Sequence, residues 1–428
     1  MRRNIAALVV DVTFFNLALA CLDTGTVLPV MVRGLGGDES VLGAVLTLKQ
    51  AAFVLPPILA GWWFQGRTRL LPSLLAVVFA SRIPLLPAAI AVGGALADPR
   101  LAIAAFTLAY MAAWAGDGMG TVAWTALIGR TIPTSVRGRV FAAIDAIGGA
   151  VRFGAGFALT PLLAGTLLAP PRNFGAIVLA AFLALVLSGL GLAGMTEAGT
   201  VPAPPSQRGS FRTYLRRLPG VLGRNPSLIR LAGAGILAGG VGGSIPFLAH
   251  AARTLDLHVP PPLEPWVGRL GGDGTAGLFL VASVVGQLVG APFWGRLTDR
   301  HGPRRTLVGA YGLGAGASAA ALFGIWFGGG LAPYLLAYLI AGAVGGAWSA
   351  SLNQSLQTIH RSGENETEAI AVMNVAALPS LLLPLAGGWA VRLWGLPAPF
   401  IGAFALSGVA WWLARGLPDH RPGTPAAR

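Results

Sequence analysis

Residues 295–305 read Gly-Arg-Leu-Thr-Asp-Arg-His-Gly-Pro-Arg-Arg and join two long apolar stretches, residues 274–297 and 304–327. Each stretch is long enough to cross the hydrocarbon core of a membrane, which takes about 20 apolar residues. The joining segment is short and carries arginines on both sides of one aspartate. Basic residues in short loops beside membrane spans are typical of the cytoplasmic face. The segment therefore predicts a cytoplasmic turn between two membrane helices.

The same alternation of apolar stretch and polar break continues along the whole chain and predicts twelve membrane-spanning helices. The stretches lack the two-residue alternation of barrel strands. With both termini in the cytoplasm, 21 of the 30 Lys and Arg residues fall in cytoplasmic segments and 6 in external ones. This distribution predicts a multi-pass protein of the inner membrane with both termini cytoplasmic. The predicted spans are residues 4–31, 41–64, 69–94, 100–129, 138–168, 173–196, 228–251, 274–297, 304–327, 331–357, 367–393 and 397–415.

The composition agrees with a membrane protein, because 54% of the residues are hydrophobic and 11% are charged, against about 25% charged in soluble chains. The net charge of +14 would suggest a nucleic-acid partner in a soluble protein. Here the basic residues lie in short loops beside spans, so orientation and anionic membrane lipids explain them, and no nucleic-acid partner is predicted. Cys21 is the only cysteine, so neither an intrachain disulfide nor a thiolate metal cluster is predicted.

The longest polar break divides the spans into two groups of six. It predicts an N-terminal six-helix bundle over residues 1–196, a cytoplasmic linker over 197–227, a second six-helix bundle over 228–415 and a cytoplasmic tail over 416–428. Within the linker, residues 210–219 separate apolar side chains and arginines onto two helical arcs. This pattern suits either a short helix lying on the inner leaflet or a solvated basic segment.

The two halves resemble each other in sequence, which predicts an internal repeat. Residues 123–126 (Ala-Trp-Thr-Ala) match residues 347–350 (Ala-Trp-Ser-Ala) at an offset of 224, and residues 160–165 resemble residues 383–388 at an offset of 223. Both matches lie in equivalent spans of the two halves. In duplicated membrane folds, the substrate site lies near the midplane at the interface of the repeats.

Residues 295–305 closely resemble the signature loop of the major facilitator superfamily, Gly-x-Leu-x-Asp-Arg-x-Gly-Arg-Arg, with Pro303 inserted before the basic pair. Residues 130–139 also look like that family's loop between its fourth and fifth helices. The resemblance covers the whole chain. It implies the family's fold, an all-α membrane protein with twelve helices in two six-helix bundles around a central cavity, which transports by alternating access.

The resemblance also implies a latch on the cytoplasmic side, formed by Asp299 and Arg300. We expect Gly295 to let two helices approach closely, and Asp299 to accept hydrogen bonds from a helix end or to pair with an arginine. In the turn after the second span, Gln65 stands where the family has an acid, so the latch is expected to be weaker there. The predicted gating motif comprises Gly295, Asp299, Arg300, Gly302, Arg304, Arg305 and Arg137.

Seven charged residues fall inside the predicted spans and away from the span ends, all in the N-terminal half: Asp11, Asp23, Lys49, Arg82, Asp117, Asp145 and Arg152. Charges at such depth are costly, so they face a cavity or each other and are functional candidates. Asp145 is too far along its helix from Arg152 to pair with it, so partners are expected on other helices. Asp11 and Asp145 lie nearer the cytoplasmic ends, where solvated or gating roles are expected.

Helical phase ranks these candidates. Tyr110, Trp114, Asp117 and Thr121 share one face of the fourth span, where aromatic surface, carboxylate and hydroxyl together suit a binding cavity. Asn16, Asp23 and Thr26 share a face of the first span. Asp117 is the first candidate for exchanging a proton as the cavity opens to either side, and Asp23 is the second. The alternative is that both acids only neutralise the buried basic residues.

The C-terminal half offers neutral polar side chains on its tenth span, where Tyr338, Ser349, Asn353 and Gln357 align. These side chains suit hydrogen bonds to a substrate or, equally, contacts between helices. The predicted substrate-binding and coupling residues of both halves are Asp23, Lys49, Arg82, Tyr110, Trp114, Asp117, Arg152, Trp348, Asn353 and Gln357.

No catalytic motif, metal site or cofactor site is predicted, so the chain is not expected to be an enzyme. A phosphate-binding loop needs a Gly-Lys pair followed by Ser or Thr, whereas the sole lysine, Lys49, precedes Gln50. The five histidines show no ligand spacing. Energy for uphill transport is therefore expected from an ion gradient. The external loop at residues 252–273 suits a lid or a stiff connector, and its proline content favours the connector.

The leading hypothesis is a monomeric, proton-coupled secondary transporter that exports a small amphipathic compound. Its expected partners are a small-molecule substrate, protons and membrane lipids. The second hypothesis is transport of an anionic solute held by Arg82 and Arg152. A hypothesis of another class is a non-transporting membrane receptor or a membrane-embedded enzyme, which the missing catalytic motifs disfavour.

Overall fold

A computed structural model describes residues 2–64, 69–132, 134–197, 226–255, 257, 271–359 and 378–418, with the backbone alone for residues 58, 61–63, 129, 134–139, 142, 271–272 and 348–359. Within these ranges the regular structure is helical and contains no strand. Short π-helical and 3-10 segments occur at Ala91–Ala95 and Leu378–Leu382. The α-helices are α1 Arg2–Cys21, α2 Val27–Gly34, α3 Glu39–Val54, α4 Pro56–Phe64, α5 Leu71–Arg82, α6 Leu85–Ile90, α7 Pro99–Thr131, α8 Thr134–Leu163, α9 Arg172–Ala193, α10 Pro226–Ser244, α11 Pro246–His250, α12 Gly271–His301, α13 Pro303–Phe327, α14 Ala332–Ile359, α15 Leu383–Trp394 and α16 Pro397–Arg415.

The chain forms two compact units, Met1–Gly209 and Ser210–Arg428. In the first unit, α1 packs against α8 and α9, while α7 packs against α3, α4 and α5. In the second unit, α14 packs against α12 and α13, and α16 packs against α10 and α13. Each unit is thus a bundle of long helices, and the predicted all-α membrane fold is confirmed.

In the described part of the chain, nine helical segments are long and apolar enough to cross a membrane. The other predicted spans, residues 41–64, 331–357 and 367–393, contain helices that are shorter or only partly described. In the first of these, α3 gives way to α4 at Leu55, because the two prolines that follow lack the amide hydrogens that would continue the helix.

The first predicted span is interrupted near its middle. After α1 ends, the Asp23 carboxylate accepts hydrogen bonds from the Gly25 amide at 2.9 Å and the Thr26 hydroxyl at 2.8 Å, and α2 then begins. Such local side-chain bonds compete with the helical backbone. The prediction that Asn16, Asp23 and Thr26 share a helical face is therefore wrong, since the helical phase is lost at this turn.

The first span of the second unit is also interrupted, between α10 and α11. In both units a tyrosine hydroxyl donates a hydrogen bond to a backbone carbonyl at the interruption. The Tyr110 hydroxyl, on α7, donates to the Leu22 carbonyl at 2.9 Å. The Tyr338 hydroxyl, on α14, donates to the Ile245 carbonyl at 3.1 Å, between α10 and α11. A broken helix leaves carbonyls without intrahelical donors, and each unit supplies one donor from its fourth span. This shared arrangement supports the internal repeat.

Close helix crossings also recur at equivalent positions. Gly118 on α7 faces the backbone carbonyl of Phe53, and Gly342 on α14 faces that of Ser283, each too closely for a β-carbon. The two glycines are 224 residues apart, the offset of the sequence repeat. Gly116 likewise contacts Ser81 on α5. At these positions small residues allow the helices to approach closely.

Glu197 ties together three segments of the first unit. Its carboxylate accepts hydrogen bonds from the backbone amides of Leu70, at 3.0 and 3.1 Å, and Leu71, at 3.2 Å, at the start of α5. It also forms an ion pair with Arg130, near the end of α7, at 3.2 Å. The Glu197 side chain is only 7% exposed. A carboxylate at the start of a helix satisfies unpaired amides and interacts favourably with the helix dipole.

We expect Glu197→Ala to lower the free energy of unfolding by about 2–3 kcal/mol, because it removes the acceptor of the Leu70 and Leu71 amides and the ion pair with Arg130. The matched control is Asp98→Ala. Asp98 also accepts a bond from a helix-start amide, that of Arg100, but it is exposed, so a cost of about 1 kcal/mol is expected. Thermal unfolding of both variants in detergent checks this difference. Equal shifts in melting temperature would contradict the role given to Glu197.

Candidate functional site

A cavity of about 470 Å³ lies within the first unit, lined by residues from its long helices. Its wall is mostly apolar and rich in aromatic rings. The aromatic lining residues are Phe15, Phe53, Trp114, Trp124 and Phe141, and the ionisable ones are Asp11, Arg82, Asp117 and Asp145. An apolar wall with a few polar groups is the usual character of a small-molecule site.

Arg82 and Asp117 form a buried ion pair at the cavity wall. The Arg82 Nη2 atom lies 3.4 Å from Asp117 Oδ1, and the two side chains are 4% and 14% exposed. The other terminal nitrogen of Arg82 donates to the Leu185 carbonyl and lies 3.5 Å from the Ser188 hydroxyl, both on α9. The pair therefore joins α5 to α7 and α9. Loss of one member of such a pair would leave a buried charge without its partner.

Asp11 extends this network to α1. The Ser188 hydroxyl donates to Asp11 Oδ1 at 2.7 Å, and the Trp124 indole donates to Oδ2 at 3.1 Å. Asp11 is 8% exposed, so the solvated role predicted for it is wrong. The packing of α1 on α9 covers the carboxylate, and two neutral donors replace water. The network runs from Trp124 through Asp11, Ser188 and Arg82 to Asp117. Sequence analysis missed Ser188, whose only signal is a lone hydroxyl in an apolar span.

Arg152 and Asp23 form another ion pair of the first unit, with 3.4 Å between Nη2 and Oδ2. Arg152 thus finds its carboxylate away from its own helix, in the turn between α1 and α2, whereas the partner expected for Asp145 on another helix is not found among the described residues. Asp117 and Asp23 each neutralise an arginine in these pairs, as the alternative hypothesis for the two acids expected. Because each guanidinium already has a carboxylate, an anion clamp built from Arg82 and Arg152 would have to break both pairs.

Lys49 lies against aromatic rings instead. Its Nζ atom is 3.8 Å from the centroid of a Trp114 ring and 5.9 Å from that of Phe53. These distances are typical of cation–π contacts. Lys49 also interacts electrostatically with Asp23 and Asp117, one from each ion pair. Trp114 was expected to offer its ring to a substrate, but the ammonium group of Lys49 already contacts that ring.

Tyr110 does not line the cavity, and the prediction that it would is wrong. Its side chain is fully buried, its hydroxyl bonds to Leu22, and its ring stacks on Phe106 with 5.2 Å between centroids. Trp114, Asp117 and Thr121 from the same stripe do line the cavity. On this face of α7, Tyr110 therefore packs against other helices, and the residues from Trp114 onward face the cavity.

In the second unit, Tyr338 is buried and stacks on Phe279 with 4.6 Å between ring centroids. Together with its bond to Ile245, this makes it a contact between helices, which was the alternative reading. The other predicted polar residues of this half and some of the gating residues stay predictions. The side chains of Trp348, Ser349, Asn353, Gln357 and Arg137, and the whole of Gln65, lie outside the described residues.

In the loop that joins α12 and α13, the backbone conformation requires a glycine at position 302. Gly302 adopts φ +82°, a conformation that other residues rarely take. A pair of buried hydroxyls, Thr298 and Thr306, bond at 2.8 Å across the turn, a contact that sequence analysis missed. Among the described residues, a β-carbon at Gly295 would meet no atom within 4 Å, so the close approach predicted there stays a prediction. Asp299 and Arg300 are exposed.

The described part of the chain contains no group of three His, Cys, Asp or Glu residues that could hold a metal ion. Its polar chemistry instead consists of ion pairs and hydrogen bonds within the bundle. Arg253 and Asp273 form a further ion pair that joins the two ends of the predicted external loop. Residues 256 and 258–270 of this loop lie outside the described ranges.

Comparisons with known proteins agree with this architecture. Residues 245–428 match the family described as Major Facilitator Superfamily. No curated protein matches the chain. Among solved structures, a mutant of the nucleoside transporter NupG is similar at 15% identity and a TM-score of 0.68, over 97% of this chain and 99% of that one. The xylose transporter XylE from E. coli is similar at 13% identity and a TM-score of 0.67, over 98% and 99%.

A POT family transporter in complex with 5-aminolevulinic acid is similar at 14% identity and a TM-score of 0.70, over 96% of this chain and 95% of that one. At these identities the likeness shows the fold. It extends over both units and agrees with the helix order derived above.

Proposed function

We propose that this chain, a major facilitator superfamily transporter by its fold and by the family match of residues 245–428, is a proton-coupled exporter of a small amphipathic compound. It would work by alternating access as a monomer in the inner membrane, with both termini in the cytoplasm. The distribution of arginines along the sequence supports this orientation.

The Asp117–Arg82 pair at the cavity wall is the observation that carries proton coupling. Uptake of a proton by Asp117 would cancel its charge and remove the carboxylate that holds Arg82. Arg82 would then shift toward Ser188, which already connects it to Asp11. Such a shift would change the contacts among α5, α7 and α9. Protonation would thereby alter the packing around the cavity, as a coupled transporter requires.

The apolar wall supports an amphipathic substrate and its export. Twelve of the eighteen lining residues are apolar side chains or glycine. A compound that fits such a wall also partitions into the bilayer and can enter the cell unaided. Energy-driven transport of such a compound is therefore useful mainly in the outward direction. The lining contains three carboxylates and one guanidinium, which disfavours the alternative anionic solute.

The test is transport by the purified protein in liposomes that carry a pH gradient and an internal pH-sensitive dye. Matched cationic, neutral and anionic amphipathic probes are added in turn. We expect at least one non-anionic probe to move against its gradient while protons move the opposite way. Movement of a probe only down its own gradient, with no proton movement, would contradict coupling. Selective movement of anionic probes would contradict the proposed substrate class and favour the anionic solute instead.

A further inference from the structure

We propose that Asp145, beside the Trp124–Phe141 ring pair, forms the subsite for an ammonium group of the substrate. This inference rests on the proposed function and names the charge that the exported compound carries. All three residues line the cavity of the first unit. None of the three belongs to the set of binding residues predicted from the sequence.

Asp145 differs from the other two carboxylates of the cavity wall. Asp117 pairs with Arg82, and Asp11 is buried with two neutral donors. Asp145 is exposed, and among the described residues it forms no hydrogen bond and no ion pair. It is therefore the carboxylate of the cavity that can accept a charged donor from a ligand without losing a partner within that part of the chain.

The rings beside it are suited to a cation. Phe141 lies one helical turn before Asp145 on α8, so the two side chains are neighbours. The ring of Phe141 meets that of Trp124 edge to face, with 6.2 Å between centroids. The Trp124 indole donates to Asp11 at 3.1 Å, which fixes the orientation of its ring. A carboxylate next to oriented aromatic rings is the usual chemistry for binding an ammonium group.

The second aromatic cluster of the cavity cannot take that role in the same way. Phe53 and Trp114 also meet edge to face, at 5.4 Å, but the Lys49 ammonium already lies against them. A ligand cation there would be repelled by Lys49. The cavity is therefore polarised. Arg82 lines the wall, and Lys49 lies against the Phe53 and Trp114 rings of that wall, whereas Asp145 with the Trp124–Phe141 rings marks the place where a positive group is favoured.

This polarity orients the ligand. The ammonium group is placed at Asp145, and the apolar body lies along Phe15, Val78 and Leu192, which also line the cavity. A hydrogen-bond acceptor on the ligand is favoured near Arg82, which also lines the cavity. The structure thus favours an amphipathic amine over a neutral or anionic compound of the same shape.

The test is binding, measured by calorimetry on purified protein in a non-ionic detergent, with 2-phenylethylammonium as the probe. The isosteric controls are 2-phenylethanol and 3-phenylpropionate. We expect the wild type to bind the ammonium compound preferentially. Asp145→Asn should weaken that binding about tenfold or more, because it removes a charge-assisted hydrogen bond, while Asp145→Glu retains most of it. The matched control Asp98→Asn, which removes an exposed carboxylate outside the cavity, should bind like the wild type.

Equal affinity of the wild type and Asp145→Asn for 2-phenylethylammonium would overturn the subsite, as would preference for 3-phenylpropionate. Proton movement driven by the same probe is measured separately in liposomes. Binding at Asp145 without proton movement would leave the subsite standing and refute coupling. Proton movement with a neutral probe, in a protein that does not bind the ammonium probe, would refute the subsite and leave coupling intact.

Discussion

Asp117→Asn is expected to abolish transport driven by a pH gradient in liposomes, because the amide cannot take up and release a proton. Exchange of substrate down its own gradient should persist in any folded fraction. The same change should lower the free energy of unfolding by about 3–5 kcal/mol, since it leaves the buried Arg82 without its carboxylate. Loss of transport and loss of folding therefore have to be separated.

The double variant Arg82→Gln/Asp117→Asn separates them. It removes both charges of the pair, so no buried charge is left unpaired, and stability should return to within about 1–2 kcal/mol of the wild type. Proton-driven transport should still be absent. Melting temperature in detergent and dye-reported proton movement in liposomes measure the two properties. Full proton-driven transport by the double variant would show that this pair is structural only.

Much of the fold could be predicted from the sequence because lipid imposes simple rules. A span must be apolar and long, and short cytoplasmic loops collect arginines. The loop at residues 295–305 and the offset of 224 between the halves were sufficient to predict the two bundles. The same rules identify the buried charges, since polar residues at depth stand out against an apolar background.

Partners within the bundle could not be predicted in the same way. Helical phase shows which residues share a face, as Tyr110 and Asp117 nearly do, but not whether that face meets a cavity or another helix. Tyr110 proved to be buried against the interrupted first span, and Asp117 to face the cavity. That interruption itself depends on Asp23 bonding to its own backbone turn, a local competition that an apolar pattern conceals.

The prediction for Asp11, one of two carboxylates near span ends, was wrong for a related reason. Position along a span predicts access to water only if the neighbouring helices leave that position open. Asp11 and Asp145 are at comparable depth in the sequence, yet α9 covers Asp11 through Ser188, whereas Asp145 remains exposed. Tertiary packing therefore decides which of two similar carboxylates is available to a ligand.

Gly342→Ala is the second change for which a large effect is expected. The added β-carbon would overlap the backbone carbonyl of Ser283, so α12 and α14 would have to separate. Backbone cannot move aside as a flexible side chain can, and overpacking of this kind costs about 1–3 kcal/mol or more. We expect a lower melting temperature and a smaller monodisperse fraction after purification in detergent.

Gly345→Ala is the matched control, one turn along the same helix. It is exposed, and among the described residues a β-carbon there meets no atom within 4 Å. Alanine should therefore stabilise the helix slightly, by about 0.5–1 kcal/mol, through its lower conformational freedom in the unfolded chain. Gly342→Ala is thus expected to lower the stability and Gly345→Ala to raise it. This difference distinguishes the effect of the helix crossing from the effect of helix propensity.

The repeat extends this prediction to the first unit. Gly118 faces the Phe53 carbonyl as Gly342 faces that of Ser283, so Gly118→Ala should destabilise the protein to a similar degree, whereas Gly154→Ala, where a β-carbon meets no described atom within 4 Å, should not. If duplication preserved the crossing because both bundles need their second and fourth spans in contact, the two variants will lose stability together. If only one of the two variants lost stability, the two halves would share the sequence repeat but not the same helix crossing.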